Sequence, residues 1–183
     1  MIGDGGVGLE LSHAMRRLGS KVTIIESGPH LAGREDPDVS ATVLDLFHDE
    51  AIEVFLGTEL QRLEGSSGDK VTVHARQQSH EHALVATDML VVAGRTTNAE
   101  GIGVELTVAE LDARGYIKVD ERLQTTAPNI RAMGDYAGSP QFTHVAQSDF
   151  RIVYSNLTGG NRTTRDRLVP FCRSPIPSWR ASQ

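Results

Sequence analysis

The chain has 183 residues, 39% of them hydrophobic and 23% charged, with a net charge of −6. That balance predicts a soluble globular protein of one domain or two small pieces, and the lack of a basic block argues against a nucleic-acid surface. The apolar runs are too short to span a bilayer, no signal-peptide pattern is present, and a single cysteine, Cys172, leaves no internal disulfide, so a cytoplasmic location is expected.

The chain opens on Gly3-x-Gly5-x-x-Gly8. In such a fingerprint the first glycine permits a tight turn, the second lets backbone approach a pyrophosphate, and the third packs helix on strand. A buried strand should precede it, yet only Met1 and Ile2 stand there. The first strand is therefore expected to be incomplete. A central strand buried on both faces supplies much of a domain's stability, which totals only about 5–15 kcal/mol, so the chain alone is expected to be marginally stable.

Val7, Leu11, Ala14, Met15 and Leu18 recur at helical spacing, and Gly19 should end that helix. "KVTIIE" reads as a buried parallel strand closed by Glu26. Glu26 lies close to the roughly 20-residue spacing at which an acid meets the ribose of NAD. A carboxylate there accepts both ribose hydroxyls and repels the 2′-phosphate of NADP. The alternative is a plain glycine turn with a solvated glutamate. Asp36-Pro37 predicts the N-cap and first turn of a second helix, with Val39, Val43, Leu46 and Phe47 on one face. "IEVFLG" is the next strand.

The period then alternates from "ELQRLEG" to "MLVVAGR", around turn signals at Ser66-Ser67-Gly68-Asp69 and "RQQSHEH". This predicts an antiparallel excursion that returns to the parallel sheet. His74, His80 and His82 lack metal-ligand spacing and read as a solvated turn. "LDARGYIKVDERLQTTAPNIRAMGD" predicts short strands with a turn at Ala113-Arg114-Gly115, ending on Gly134-Asp135. Ala146, Phe150, Val153 and Leu157 then mark a last helix, closed by Gly159-Gly160. The tail has no period, and the predicted class is α/β: a Rossmann-like FAD/NAD(P)-binding fold, a parallel sheet with an antiparallel excursion.

Four stretches, "IGDGGVGLEL", "VVAGRTTN", "GYIKVDERLQTTAPNIRAMGD" and "QFTHVAQSDFRIV", in this order, resemble the flavoprotein pyridine-nucleotide disulfide oxidoreductases, with a mercuric-reductase-like or dihydrolipoamide-dehydrogenase-like flavour. The resemblance implies FAD and NAD as cofactors, NADH over NADPH, and an activity that passes hydride from NADH to flavin and electrons on to a disulfide, metal or other acceptor. It implies an NAD(H)-binding domain over 1–111, a second segment of the FAD-binding domain over 112–160 and an irregular tail over 161–183. It places the nicotinamide nucleotide at Gly3, Gly5, Gly6, Val7, Gly8 and Glu26, with Gly94 on the nicotinamide side. It places the ribityl chain of FAD at Asp135 and the flavin pyrimidine end at the backbone of Gln141, Phe142, Thr143 and His144, His144 being a loop residue. It assigns no catalytic residue and no metal ligand here.

The family's thiol pair, catalytic base and dimerisation domain are expected outside this chain, although the intact family is homodimeric. Three departures stand out: Asp4 where the fingerprint has Gly or Ala, Gly6 where a bulkier residue covers the flavin, and Thr97 where Pro is usual. The tail "VPFCRSPIPSWRAS" stands where the family has "VPYCVFTDPELARV"; with permitted codon choices a shifted reading frame gives back its "FTDPELARV" part, genuine divergence being the rival account. An out-of-frame tail is thus expected, and Cys172 reads as a small apolar residue. A NADH oxidase or ferredoxin reductase type and a non-catalytic nucleotide-binding fragment are the rival readings.

Overall fold

The computed structural model describes residues 1–99, 101–165 and 167–170. Cys172 and the divergent tail therefore lie outside the described residues. The chain divides into two compact units, one holding Met1–Gly94 and the other beginning at Arg95.

The first unit is built on a small parallel sheet. β1 (Thr23–Ile25) pairs in parallel with β2 (Glu53–Phe55). On the other side of β1, Ile2 forms parallel bridges to both Ile25 and Val91. Its neighbours complete the ladder: the Met1 nitrogen donates to Thr23 O, Ile25 N to Met1 O, Gly3 N to Ile25 O and Val92 N to Ile2 O. The spatial order is thus β2, β1, Ile2, Val91. Numbered along the chain this is 3-2-1-4, the order of a dinucleotide-binding sheet. Met1–Gly3 fill the slot of the first strand, and "MLVVAG" returns beside them.

Adjacent residues of β1 face opposite layers, because strand side chains alternate. Ile24 packs into a core with Leu9, Val22, Leu31, Val43, Phe47 and Ile52. This core joins the sheet to α1 (Gly6–Arg17) and α2 (Pro37–Asp49). Ile25 faces the other way, onto Val71, Val73, Leu84 and Met89, residues that follow β2 in the chain. Most of that segment forms an antiparallel sheet of β3 (Thr58–Ser66), β4 (Lys70–Gln77) and β5 (His80–Ala86), in the order β3-β4-β5. Its turns fall at the two predicted signals. The three histidines are not in a turn: His74 lies on β4 beside Glu64, and His80 and His82 lie on β5. The His82 ring packs edge-on against Phe55. On β4 the alternate residues Val71, Val73 and Ala75 are buried, which puts His74 on the other face of that strand.

α1 exists as expected, but its inward face differs. Gly8, Leu9, Ser12 and His13 are buried, whereas Val7, Met15 and Leu18 are exposed. The reason is the approach of the helix to the first strand. A Cβ on Gly8 would stand 2.5 Å from Gly3 O and 2.9 Å from a Val92 methyl, so the glycine side must face the sheet. On α2, Val43 and Phe47 are buried as the periodicity predicts, while Val39 is exposed. Asp36 occupies the N-cap and Pro37 the first helical position, but Asp36 makes no side-chain cap.

In the second unit the predicted short strands shrink to single bridges: Leu111 with Ile117, Val119 with Thr125, and Gln124 with Arg131. Two aspartates account for this. Asp112 accepts from the amides of Arg114 and Tyr116, and Asp120 accepts from those of Arg122 and Gln124. Each carboxylate folds the backbone into a turn in place of a longer ladder. The last helix, α3 (Thr143–Leu157), buries Val145, Asp149 and Ile152. The predicted stripe of Phe150 and Leu157 is exposed, and Ala146 and Val153 are half-buried. His144 is the second residue of α3 rather than a loop residue. Among the described residues no helix is long and apolar enough to cross a membrane.

Candidate functional site

The candidate residues fall in both units. In the first unit the switch point of the sheet lies between Ile2 and Val91, where the first strand has neighbours that lead in opposite directions along the chain. Ligands of open α/β sheets bind beyond the carboxyl ends of strands at such a point. Gly3–Gly8 leave the first strand there, and Ala93-Gly94 follow the returning one.

The turn is shaped by backbone contact. Gly3 has φ +98°, in the left-handed region that favours glycine. A Cβ on it would also stand 3.0 Å from the Val92 and Ala93 backbone. Gly5 is the N-cap of α1, and no acidic residue sits in the first helical turn. The amides of Gly6, Val7 and Gly8 have no intrahelical acceptor by helix geometry. No atom stands within 4 Å of the place a Cβ on Gly5 would take. The arrangement can receive an anion: open space, outward amides and the positive end of a twelve-residue helix.

Glu26 ends β1 beside this turn. Its Oε2 accepts from Asp4 N at 3.1 Å. Its Oε1 accepts from Gly28 N at 2.6 Å and Ser27 Oγ at 3.1 Å. The carboxylate is therefore fixed in place by the fingerprint turn on one side and its own loop on the other. The Asp4 carboxyl accepts from Gly33 N at 3.3 Å. Burial, followed by the negative charge of Glu26, pushes the Asp4 carboxyl above its usual range, and the Gly33 and Ala32 amides oppose that rise. Gly94 has φ +143° and is exposed.

In the second unit Gly134–Ala137 form a short 3-10 turn. Asp135 on it is exposed and lies 3.4 Å from Arg95 Nη1. Gln141 Nε2 donates to the Tyr116 hydroxyl at 3.3 Å. Phe142 is the N-cap of α3 and stacks on His144, with ring centres 5.4 Å apart. Thr143 and His144 open the helix, and all four residues from Gln141 to His144 are exposed.

One residue of this unit escapes the motif reading. Asp149 is fully buried. Its Oδ2 accepts from Gly134 N at 2.8 Å, and its Oδ1 pairs with Arg167. Asp149 thus ties α3 to the turn that carries Asp135. An aspartate in the middle of an otherwise amphipathic helix, on the same face as Val145 and Ile152, is the signal that could have found it.

Among the described residues no cluster of three or more His, Cys, Asp or Glu could hold a metal ion. A family model described as pyridine nucleotide-disulphide oxidoreductase matches residues 1–149. A probable pyridine nucleotide-disulfide oxidoreductase, RclA of Escherichia coli strain K12, is 37% identical over 174 residues, covering 93% of this chain and 38% of that protein. A dihydrolipoyl dehydrogenase of Thermus scotoductus is 34% identical over 180 residues, covering 98% of this chain and 39% of that protein. The solved structure of the Cu(II) complex of HOCl-induced flavoprotein disulfide reductase RclA from E. coli is similar in fold, with a TM-score of 0.81 and 34% identity. It covers 91% of this chain and 38% of its own. The chain therefore spans less than two fifths of the length of these relatives.

Proposed function

The chain belongs to the pyridine nucleotide-disulphide oxidoreductase family, and from that premise we propose that it supplies the NAD(H)-binding domain, over 1–111, and a flavin-binding segment, over 112–160, to an FAD-dependent oxidoreductase. FAD, held at Asp135 and the 141–144 segment, would supply a hydride acceptor for NADH and a relay of electrons to a disulfide, a metal ion or another acceptor. The observation that carries this reading is the fingerprint turn at the switch point, with Glu26 held against it by the Asp4 amide.

The residues fit the nucleotide. The space at Gly5 and the outward amides of Gly6, Val7 and Gly8 suit a pyrophosphate. Glu26 accepts the ribose hydroxyls and repels a 2′-phosphate, which favours NADH. A carboxylate offers about four acceptor sites, and Glu26 already receives three bonds, from Asp4, Ser27 and Gly28. Ser27 donates from a rotatable side chain whereas Asp4 and Gly28 donate from backbone, so Ser27 is the donor that turns aside when both hydroxyls bind. Gly94 leaves open space for the nicotinamide side.

The second unit fits its part as well. Asp135 is an exposed acceptor for a ribityl hydroxyl, and its contact with Arg95 orients it. Gln141, Phe142, Thr143 and His144 present the start of α3 to the flavin pyrimidine end, where the helix dipole stabilises negative charge. The chain's residues thus bind and orient; hydride transfer becomes a matter of positioning. A homodimer and a cytoplasmic setting belong to the same reading.

The test is spectroscopic. The intact polypeptide, purified from cells, is expected to be yellow and to bleach anaerobically on adding NADH, faster than with NADPH. Colourless protein that takes up neither FAD nor NADH would overturn the reading.

A further inference from the structure

We propose that Asp4 is a second specificity-determining carboxylate, which adds to Glu26 in rejecting dinucleotides that carry a 2′-phosphate. This rests on the NADH reading above and names a residue that the fingerprint pattern does not assign.

The geometry places Asp4 over the ribose end of the site. Its amide sits on Glu26 Oε2 at 3.1 Å, so its backbone adjoins the group that receives the ribose. Its side chain turns toward the loop after β1, where Oδ2 takes the Gly33 amide at 3.3 Å. Two consequences follow. A 2′-phosphate approaching Glu26 meets a second negative charge beside the first. It also finds the Gly33 amide, a natural anion donor, already taken by a carboxylate.

Asp4 does not act on the pyrophosphate in the same way. Its carboxylate is bonded to the loop at Gly33, whereas the outward amides belong to Gly6, Val7 and Gly8. Removing its charge should therefore change NADPH binding far more than NADH binding, since the two differ only in the 2′-phosphate. Burial and then the neighbouring charge of Glu26 raise the cost of ionising Asp4.

The experiment measures dissociation constants of NADH and NADPH for the intact protein by fluorescence titration, in the wild type, Asp4→Asn and Asp4→Gly. Both variants are expected to bind NADPH roughly tenfold more tightly, the worth of one nearby charge, with NADH changed by less than about threefold. An unchanged NADPH-to-NADH ratio in both variants overturns the inference and leaves the NADH reading intact. An equal gain for both nucleotides also overturns it, because the charge would then act at the shared pyrophosphate. Wild-type protein that binds neither nucleotide overturns the NADH reading itself, and the inference with it. Glycine is the usual residue at this position of the fingerprint, so Asp4→Gly keeps the test decisive where Asp4→Asn fails to fold.

Discussion

α1 and α3 both begin without a side-chain cap, yet the backbone in front of each is held by different forces. Before α1 the constraint is steric. Gly3 and Gly8 let two backbone segments approach more closely than any Cβ allows. At α3 the constraint is electrostatic. A buried carboxylate, Asp149, takes the Gly134 amide and the Arg167 guanidinium, and so fixes the turn that carries Asp135. The first device is made of positions that only glycine can fill. The second is made of an ordinary side chain whose meaning depends on what surrounds it.

The contrast can be broken from either side. Asp149→Ala has the larger expected effect, a loss of about 3–5 kcal/mol in urea unfolding, because it strands a mostly buried arginine and an amide. Asp149→Asn should recover part of that loss, since its amide oxygen can still accept from Gly134. A loss below about 1 kcal/mol for Asp149→Ala would show that packing alone fixes the turn. Gly8→Ala follows, at about 1–3 kcal/mol, the usual cost of forcing extra volume into a close contact. It should also weaken NADH binding, since the fingerprint turn must shift to admit the methyl group. An alanine variant with unchanged melting temperature and unchanged binding would remove the steric account.

The smallest effect lies at the far end of α1. Arg17 Nη2 donates to Glu50 Oε1 at 2.6 Å, beside His13. That hydrogen bond outweighs burial and holds the Glu50 carboxyl below its ordinary value of 4.5. A depressed folded value means the contribution is present above pH 4.5 and is lost as pH falls through the folded value. With Arg17 partly exposed, it is worth at most about 1 kcal/mol. Glu50→Gln should therefore cost less than about 1 kcal/mol at pH 7 and flatten the acid limb of the stability curve. Parallel acid limbs for wild type and variant would argue against it.

Elements were more legible in the sequence than the faces they bury. α2 could be read with its buried Val43 and Phe47, because its apolar stripe is the one that meets the sheet. On α1 and α3 the more conspicuous stripes, with Met15 and Leu18 and with Phe150 and Leu157, remain exposed. Periodicity counts apolar residues and does not register which face can come closest to a neighbour. On α1 that face is set by Gly8, and on α3 by Asp149, neither of which scores as hydrophobic. The segment from Leu111 to Arg131 misled for a local reason, since Asp112 and Asp120 use their side chains to close turns that alternation alone cannot foresee.

By itself the sequence determined where the nucleotide fingerprint lies, which acid ends the next strand, where the antiparallel excursion turns, and which family these motifs resemble. Those features depend on residues whose backbone behaviour is intrinsic, glycine above all, or on spacing along one chain segment. The tertiary structure decided that Met1–Gly3 sit between β1 and Val91, that Asp4 lies against Glu26 and Gly33, and that Asp149 anchors the Gly134 turn. These are contacts between residues far apart in the chain. Their energies come from burial, close approach and shared charge, and those exist only once the distant segments have met.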